Sequence, residues 1–201
     1  MRIIILLFTL ALCGHLHADE LRSILTPEDA KALATCEETL SKSLEPNLAS
    51  DDPETLKAAK DLSALLALPR KKPADRLALE GKWKVRSLQV SRYGVFTYPF
   101  FNGEFRREGE SGLIFHKNSG SQRRMGIVGE DGEDWLLFVG GKYYNDDAQG
   151  AAYSGFQEES VKTDPKMDSF GRLYEIGKDR LLLIFGETTF GPEVYELKKG
   201  K

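Results

Sequence analysis

The stretch of this sequence richest in groups that bind or ionise is Lys117-Asn118-Ser119-Gly120-Ser121-Gln122-Arg123. An ammonium and a guanidinium bracket a short glycine turn, with Ser121 and Gln122 beside them. Two cations and the backbone amides of such a turn can hold an anionic group. The same residues have a structural use. Ser121 and Gln122 can satisfy backbone groups at strand ends while Arg123 lays its aliphatic stem across a core edge. Both readings stay open at this point. Arg86 and Arg172 offer further guanidinium groups that could join the set. Tyr153 stands with Tyr143, Tyr144 and Phe156 in a long polar and aromatic connection, as part of a lid or as an anchor of that loop.

Other chemistries find little support. No Gly-x-Ser-x-Gly elbow, Ser-x-x-Lys pair or phosphate-binding glycine loop occurs. Glu130-Asp131-Gly132-Glu133-Asp134 lacks the alternating ligand spacing of a calcium loop and reads as a hairpin tip. His116 has no nucleophile beside it, so a structural role fits it better than a general base. The sequence names no catalytic residue, metal site or cofactor.

The first 18 residues narrow the field further. Arg2, the apolar run Ile3–Leu12 and the small residue Ala18 follow the order of an export signal. Ten apolar residues cannot span a bilayer, which takes about twenty. We expect cleavage after Ala18 and a periplasmic or secreted protein with no transmembrane segment in the mature chain. Lipid attachment at Cys13 is the competing route, although Leu12 before it is not small. Removing residues 1–18 takes away Arg2, Cys13, His15 and His17, leaving one histidine, His116, and one cysteine, Cys36. No intramolecular disulfide can then form, and no multi-His or multi-Cys metal site can be built. With 28 basic against 31 acidic side chains in the whole chain, a general nucleic-acid binder is not expected.

The hydrophobic period sets two regions. In residues 19–73, Thr26 can cap a helix, Pro27 suits its first position, and Glu28 and Asp29 complement its dipole. Leu33, Cys36, Leu40 and Leu44 then form one apolar stripe. Asp51-Asp52-Pro53-Glu54 starts a second helix carrying Leu56, Ala59, Leu62, Leu65 and Leu66, so a helical hairpin is expected. Residues 74–201 change to short β-rich runs separated by glycine and acidic turns. We read strands near 82–90, 95–107, 112–117, 122–128, 135–139, 169–176, 180–185 and 193–197. Eight antiparallel strands in simple succession suit an up-and-down barrel, with an interior just wide enough for side chains or one small ligand. Gly126, inside a strand, marks a bulge or a close backbone approach.

Gly81-Lys82-Trp83 resembles the Gly-x-Trp opening of lipocalins and their calycin relatives. That likeness implies a tryptophan plugging the closed end of the barrel beneath a basic side chain of the last strand, Lys198 or Lys199. The run Lys117-x-x-Gly120-Ser121-Gln122-Arg123-x-x-Gly126, preceded by Gly81-x-Trp83-x-x-Arg86, is similar to a bacterial exported family described as domain of unknown function 4893. Gly171-Arg-Leu-Tyr-Glu-Ile-Gly177 and Glu193-Val-Tyr-Glu-Leu-Lys198 match that family's end. The likeness covers roughly 79–199. It implies an envelope setting and a calycin-like barrel, but no activity. A cysteine pair expected in the first two strands is missing; Val85 and Gly103 stand there.

The fold class expected is therefore α+β: an N-terminal helical hairpin followed by an eight-stranded antiparallel barrel. The leading function is non-catalytic binding of a small apolar or amphipathic ligand, with Arg86, Lys117, Ser121, Gln122, Arg123, Arg172 and Tyr153 as candidate contacts. Gly81, Trp83, Gly120 and Gly126 are structural. This reading needs a cavity of about 300 Å3 or more, not a core filled by Trp83, Phe115, Leu137 and Phe185. The alternative is an envelope protein-interaction module with a solid core, which needs an exposed apolar face on Leu33–Leu44 or Leu56–Leu66.

Overall fold

A computed structural model describes residues 18–109, 112–131, 134–147, 152–156, 163–186 and 191–200. Residues 1–17 of the expected export signal and Gly132 of the expected hairpin tip lie outside the described residues. The β-region folds into β1 (Gly81–Ser91), β2 (Gly94–Thr97), β3 (Phe101–Glu108), β4 (Gly112–Lys117), β5 (Gln122–Asp131), β6 (Trp135–Tyr144), β7 (Asp168–Gly177), β8 (Arg180–Phe185) and β9 (Glu193–Lys199). From β3 to β9 each strand pairs antiparallel with the next, and β9 returns to pair with β1. Closure leaves no long unpaired edge.

Nine strands make eight staves. Leu88 pairs with Thr97 and Val85 with Phe101, so two residues on β1 face three on the opposite chain. That is a one-residue bulge. It falls at Tyr98-Pro99-Phe100, where Pro99 has no N–H to give the ladder. Tyr98 still donates its N–H to the Ser87 carbonyl, 3.0 Å away. The single strand expected over 95–107 is therefore one stave, broken into β2 and β3 by its proline.

Side-chain alternation fills the interior. Trp83, Phe105, Phe115, Phe138, Phe185 and Tyr195 are all buried there. Their rings form a continuous chain with centroid separations of 5.7, 5.0, 5.9, 6.0 and 4.8 Å, the range of favourable aromatic pairs. Leu137 is a correction: it points outward with Val139 and Phe170, because Leu136 and Phe138 take the inward positions of β6. At one end Trp83 donates its indole N–H to the Leu79 carbonyl at 2.8 Å. The Lys199 ammonium lies 5.5 Å from that ring's centroid. Gly126 and Gly140 face each other across β5 and β6. A Cβ on Gly126 would sit 2.4 Å from the Val139 carbonyl oxygen. The register of this pair is unbroken, so Gly126 serves close approach rather than a bulge.

Helices cover part of the outer wall. α1 (Ala18–Ser23), which the sequence pattern does not announce, seats Leu21 beside Gly129 of β5. α2 (Pro27–Leu44) starts as expected: Thr26 Oγ1 accepts the Asp29 N–H at 3.1 Å, and Leu33, Cys36, Leu40 and Leu44 are buried. α3 (Pro53–Leu66) is capped by Asp52, whose carboxylate accepts the Thr55 N–H at 2.8 Å. Cys36, Leu40, Leu62 and Leu65 share one core with the outward residues Leu88, Val90, Leu182, Ile184 and Val194 of the barrel. These stripes are narrow and would be marginal alone. The barrel wall is what buries them.

Candidate binding site at the barrel mouth

The end opposite Trp83 is polar. Counting back by twos along β5 from Val128 and Gly126 brings Arg124 and Gln122 to the inward face. Arg124, 3% exposed, reaches Glu193 at 2.6 Å. It also donates to Ser169 Oγ at 2.9 Å and to the Tyr195 hydroxyl at 2.5 Å. Its guanidinium carbon stacks 3.8 Å from the Phe185 ring centroid and 4.8 Å from that of Tyr195, an arrangement suited to a planar delocalised cation. Ser87 donates to the other Glu193 oxygen at 2.5 Å. Burial alone would raise the Glu193 carboxyl, but the Arg124 guanidinium and the Ser87 hydroxyl hold it below the usual carboxylate range.

Lys117 is as buried as Arg124. Its ammonium donates to the carbonyls of Ser119, at 3.0 Å, and Gln122, and lies 4.7 Å from the Phe101 ring centroid. Burial, helped by the nearby Arg124 charge, depresses its pKa to about 8. Gly120 makes room for it. That residue has φ +85°, and a Cβ there would stand 3.2 Å from Lys117 Nζ. Arg123 points away from the interior, yet donates to the Gly120 carbonyl at 3.2 Å. Above this layer lies a recess of about 40 Å3, lined by Gln89, Gln122, Arg123, Lys142, Glu193 and Tyr195 among others. That is room for a water cluster or one small charged group. It is far below the 300 Å3 or more expected for a ligand enclosed in the barrel; among the described residues the interior is filled by aromatic side chains instead, so only part of a ligand could enter here.

The expected site residues thus divide. Lys117, Ser121, Gln122 and Arg123 gather at this mouth, with Ser121 exposed and its carbonyl accepting the Asn145 N–H. Three do not. Arg86 is on the outer wall, paired with Glu196 at 2.5 Å. Arg172 is also outside, between α2 and Trp135, donating to the Ala34 carbonyl at 3.1 Å. Tyr153 is fully buried under α2, where its hydroxyl donates to Asp29 and accepts the Thr26 N–H. It anchors the connection and is no lid. Tyr143 and Tyr144 belong to β6, which runs five residues beyond its expected end. His116, on the outer face, meets the Tyr143 hydroxyl through Nε2, and burial lowers its pKa.

Arg124 and Glu193 are the functional candidates the sequence reading passed over. Strict alternation from Gly126 would have found Arg124. Nothing local could have paired it with a glutamate on the last strand. Among the described residues, no three His, Cys, Asp or Glu side chains come together as a metal site. No described helix is long and apolar enough to cross a membrane.

Fold and site together define a closed eight-stranded antiparallel barrel, solid in its middle, with a helical outer layer and a small polar recess at one end. The chain belongs to the family described as domain of unknown function (DUF4893), whose model matches residues 21–197. No curated protein and no solved structure matches it.

Proposed function

We propose that this protein is an exported, non-catalytic binding protein whose barrel mouth takes the anionic group of a small amphipathic molecule. The observation that carries this reading is the charge around the recess. Among the described residues Arg123, Arg124 and Lys142 line it against the single carboxylate of Glu193, and the Lys117 charge acts on Arg124 and Glu193 from outside that lining. Its size decides how much of a ligand enters: a carboxylate or phosphate group, with the apolar part outside. Phe96 and Tyr98, both exposed, flank Gln89, and the Tyr98 hydroxyl donates to that residue's side chain at 3.2 Å. They offer an apolar rim for the remainder. We further infer a calycin-type barrel, on the strength of Gly81-x-Trp83 beneath Lys199.

The reading as an interaction module draws on the filled interior. It is the weaker of the two, because the helix faces it needs exposed are turned into the barrel wall. The test is calorimetric titration with octanoate, octyl phosphate and octanol, beside native mass spectrometry of protein purified from its own host. Binding of either anion but not the alcohol, weakened at least tenfold in Arg123→Gln/Lys142→Gln, supports the reading. No binding of either anion by the wild-type protein overturns it.

A further inference from the structure

The outer wall near the Trp83 end carries a second concentration of charge. Lys84 on β1 lies directly opposite Lys198 on β9, and Lys198 lies directly opposite Arg180 on β8. All three alternate with inward core residues (Trp83 and Val85, Leu197, Leu181) and so share the outer face. Neighbouring strands are about 4.8 Å apart, so the row spans roughly 10 Å. Like charges placed directly opposite each other destabilise a sheet. A row of three is therefore not what folding alone would select.

One row along, Arg86 faces Glu196. Glu196 is fully buried and receives Arg86 at 2.5 Å, Arg180 at 2.7 Å and Lys198 at 3.5 Å. Burial would raise its carboxyl, but Arg180, Arg86 and Lys198 keep it below the usual range, so it supplies one full negative charge. Among the described residues Lys84 donates to the Asn102 side-chain oxygen, at 2.7 Å. Three cations thus share one carboxylate with Lys84 beside them, and the Nε of Arg180 is buried without a hydrogen-bond partner. Phe100 lies flat among them, with Arg86 5.2 Å and Lys198 4.8 Å from its ring centroid. It remains 37% exposed.

We propose that this face is a docking surface for a membrane rich in anionic lipid head groups. The surface is an open sheet wall, not a pocket, so it suits an array of charges better than one small anion. Surplus positive charge in a chain of net charge −3 gives the complementarity. An exposed aromatic ring set among cations is the chemistry of the bilayer interface. Docked this way, the barrel lies by its wall near the Trp83 end, and the opposite mouth stays open to solvent. The proposal is independent of the reading of the mouth.

Vesicle flotation with the full mature chain tests it, using phosphatidylglycerol-containing and pure phosphatidylcholine vesicles. The wild-type protein should float with the anionic vesicles only and be released by high salt, as screening requires. Lys84→Gln/Lys198→Gln should weaken partitioning roughly 30-fold, the effect of removing two surface cations, and should unfold at no lower urea concentration than the wild type. Phe100→Ala should weaken it several-fold, while Arg123→Gln at the mouth should leave it unchanged. Failure of the wild type to float with anionic vesicles overturns the proposal. So does equal flotation with both vesicle types, or double-variant binding at the wild-type level. Tighter binding of a single-stranded oligonucleotide than of anionic vesicles, lost in the same double variant, overturns it in favour of a nucleic acid.

Discussion

Arg124 on β5 and Glu193 on β9 meet at 2.6 Å inside the barrel although 69 residues separate them in the chain. With Ser87 on β1 and Ser169 on β7, they tie four staves together at the mouth. The Ser87–Glu193 contact spans the seam at which β9 closes on β1. Such a buried pair is worth little against a well-packed apolar replacement, yet it is costly to break by halves. Arg124→Met should therefore destabilise the protein by about 3–5 kcal/mol, and Arg124→Met/Glu193→Leu should recover most of the loss. Urea unfolding at neutral pH measures both. Equal loss in the two variants would show that the stacking of Arg124 on Phe185 and Tyr195, and not its charge pair, holds this end.

The same pair sets an acid dependence. Glu193 is held below the carboxylate range in the folded state. Its contribution is complete above the unfolded value, about 4.3 for glutamate, and is lost as pH falls through the lower folded value. Glu193→Gln should flatten that part of the stability curve below about pH 4. Urea midpoints of variant and wild type across the acid range check this.

Two buried groups act on the alkaline side with opposite sign. Lys117 has a folded pKa of about 8, below the unfolded value near 10.4. The unfolded chain then binds more protons between those values, so stability rises with pH through that window. The Cys36 thiol is pushed by burial up to about 11, above its unfolded value near 8.5. Its contribution is complete below the unfolded value and is lost as pH rises toward the folded one. Lys117→Met should remove the rise and Cys36→Ala the fall. Differences in urea midpoint between each variant and the wild type, from pH 7.5 to 10.5, isolate the two.

Gly126 and Gly140 are replaceable by nothing larger. A Cβ on Gly140 would meet the Met125 carbonyl oxygen at 2.1 Å, and both contacts are to backbone. Gly126→Ala would also press on the ring of the buried Phe138, 2.7 Å away, and must separate β5 from β6. A loss of at least about 2 kcal/mol follows, in the range of overpacking. A thermal melt is sufficient to see it.

What the residues announced is uneven, for physical reasons. Helix starts at Thr26 and Asp52 were legible because a cap, a proline and an acid act within one turn. The staves were legible because inside and outside alternate at a period of two. Pro99 was visible as a residue, but the register that makes it a bulge exists only between strands. Arg86 and Arg172 were misassigned to the mouth for a related cause. Their charge made them candidates, but Val85 and Leu173 occupy the inward positions beside them and turn both arginines outward. Glu193 and Arg124 lie on strands that meet only through closure, and no local pattern encodes that.

The outer layer yields the last expectation. Cys36 and Leu40 of α2 and Leu62 of α3 share a core with Leu88, Leu182 and Val194 of the barrel. The helices therefore cannot leave without exposing the apolar barrel wall they cover. Helices and barrel should unfold in one transition. Leu40→Ala or Leu62→Ala, each about 2–5 kcal/mol, should shift the unfolding of Trp83 as much as that of the helices. In a Trp135→Phe background, Trp83 fluorescence reports the barrel, and reaction of the Cys36 thiol with a disulfide reagent reports helix release. The two signals should change at the same urea concentration. A thiol that reacts well before Trp83 responds would mean that α2 detaches from an intact barrel, and that the shared core stabilises the helices without being needed by the staves.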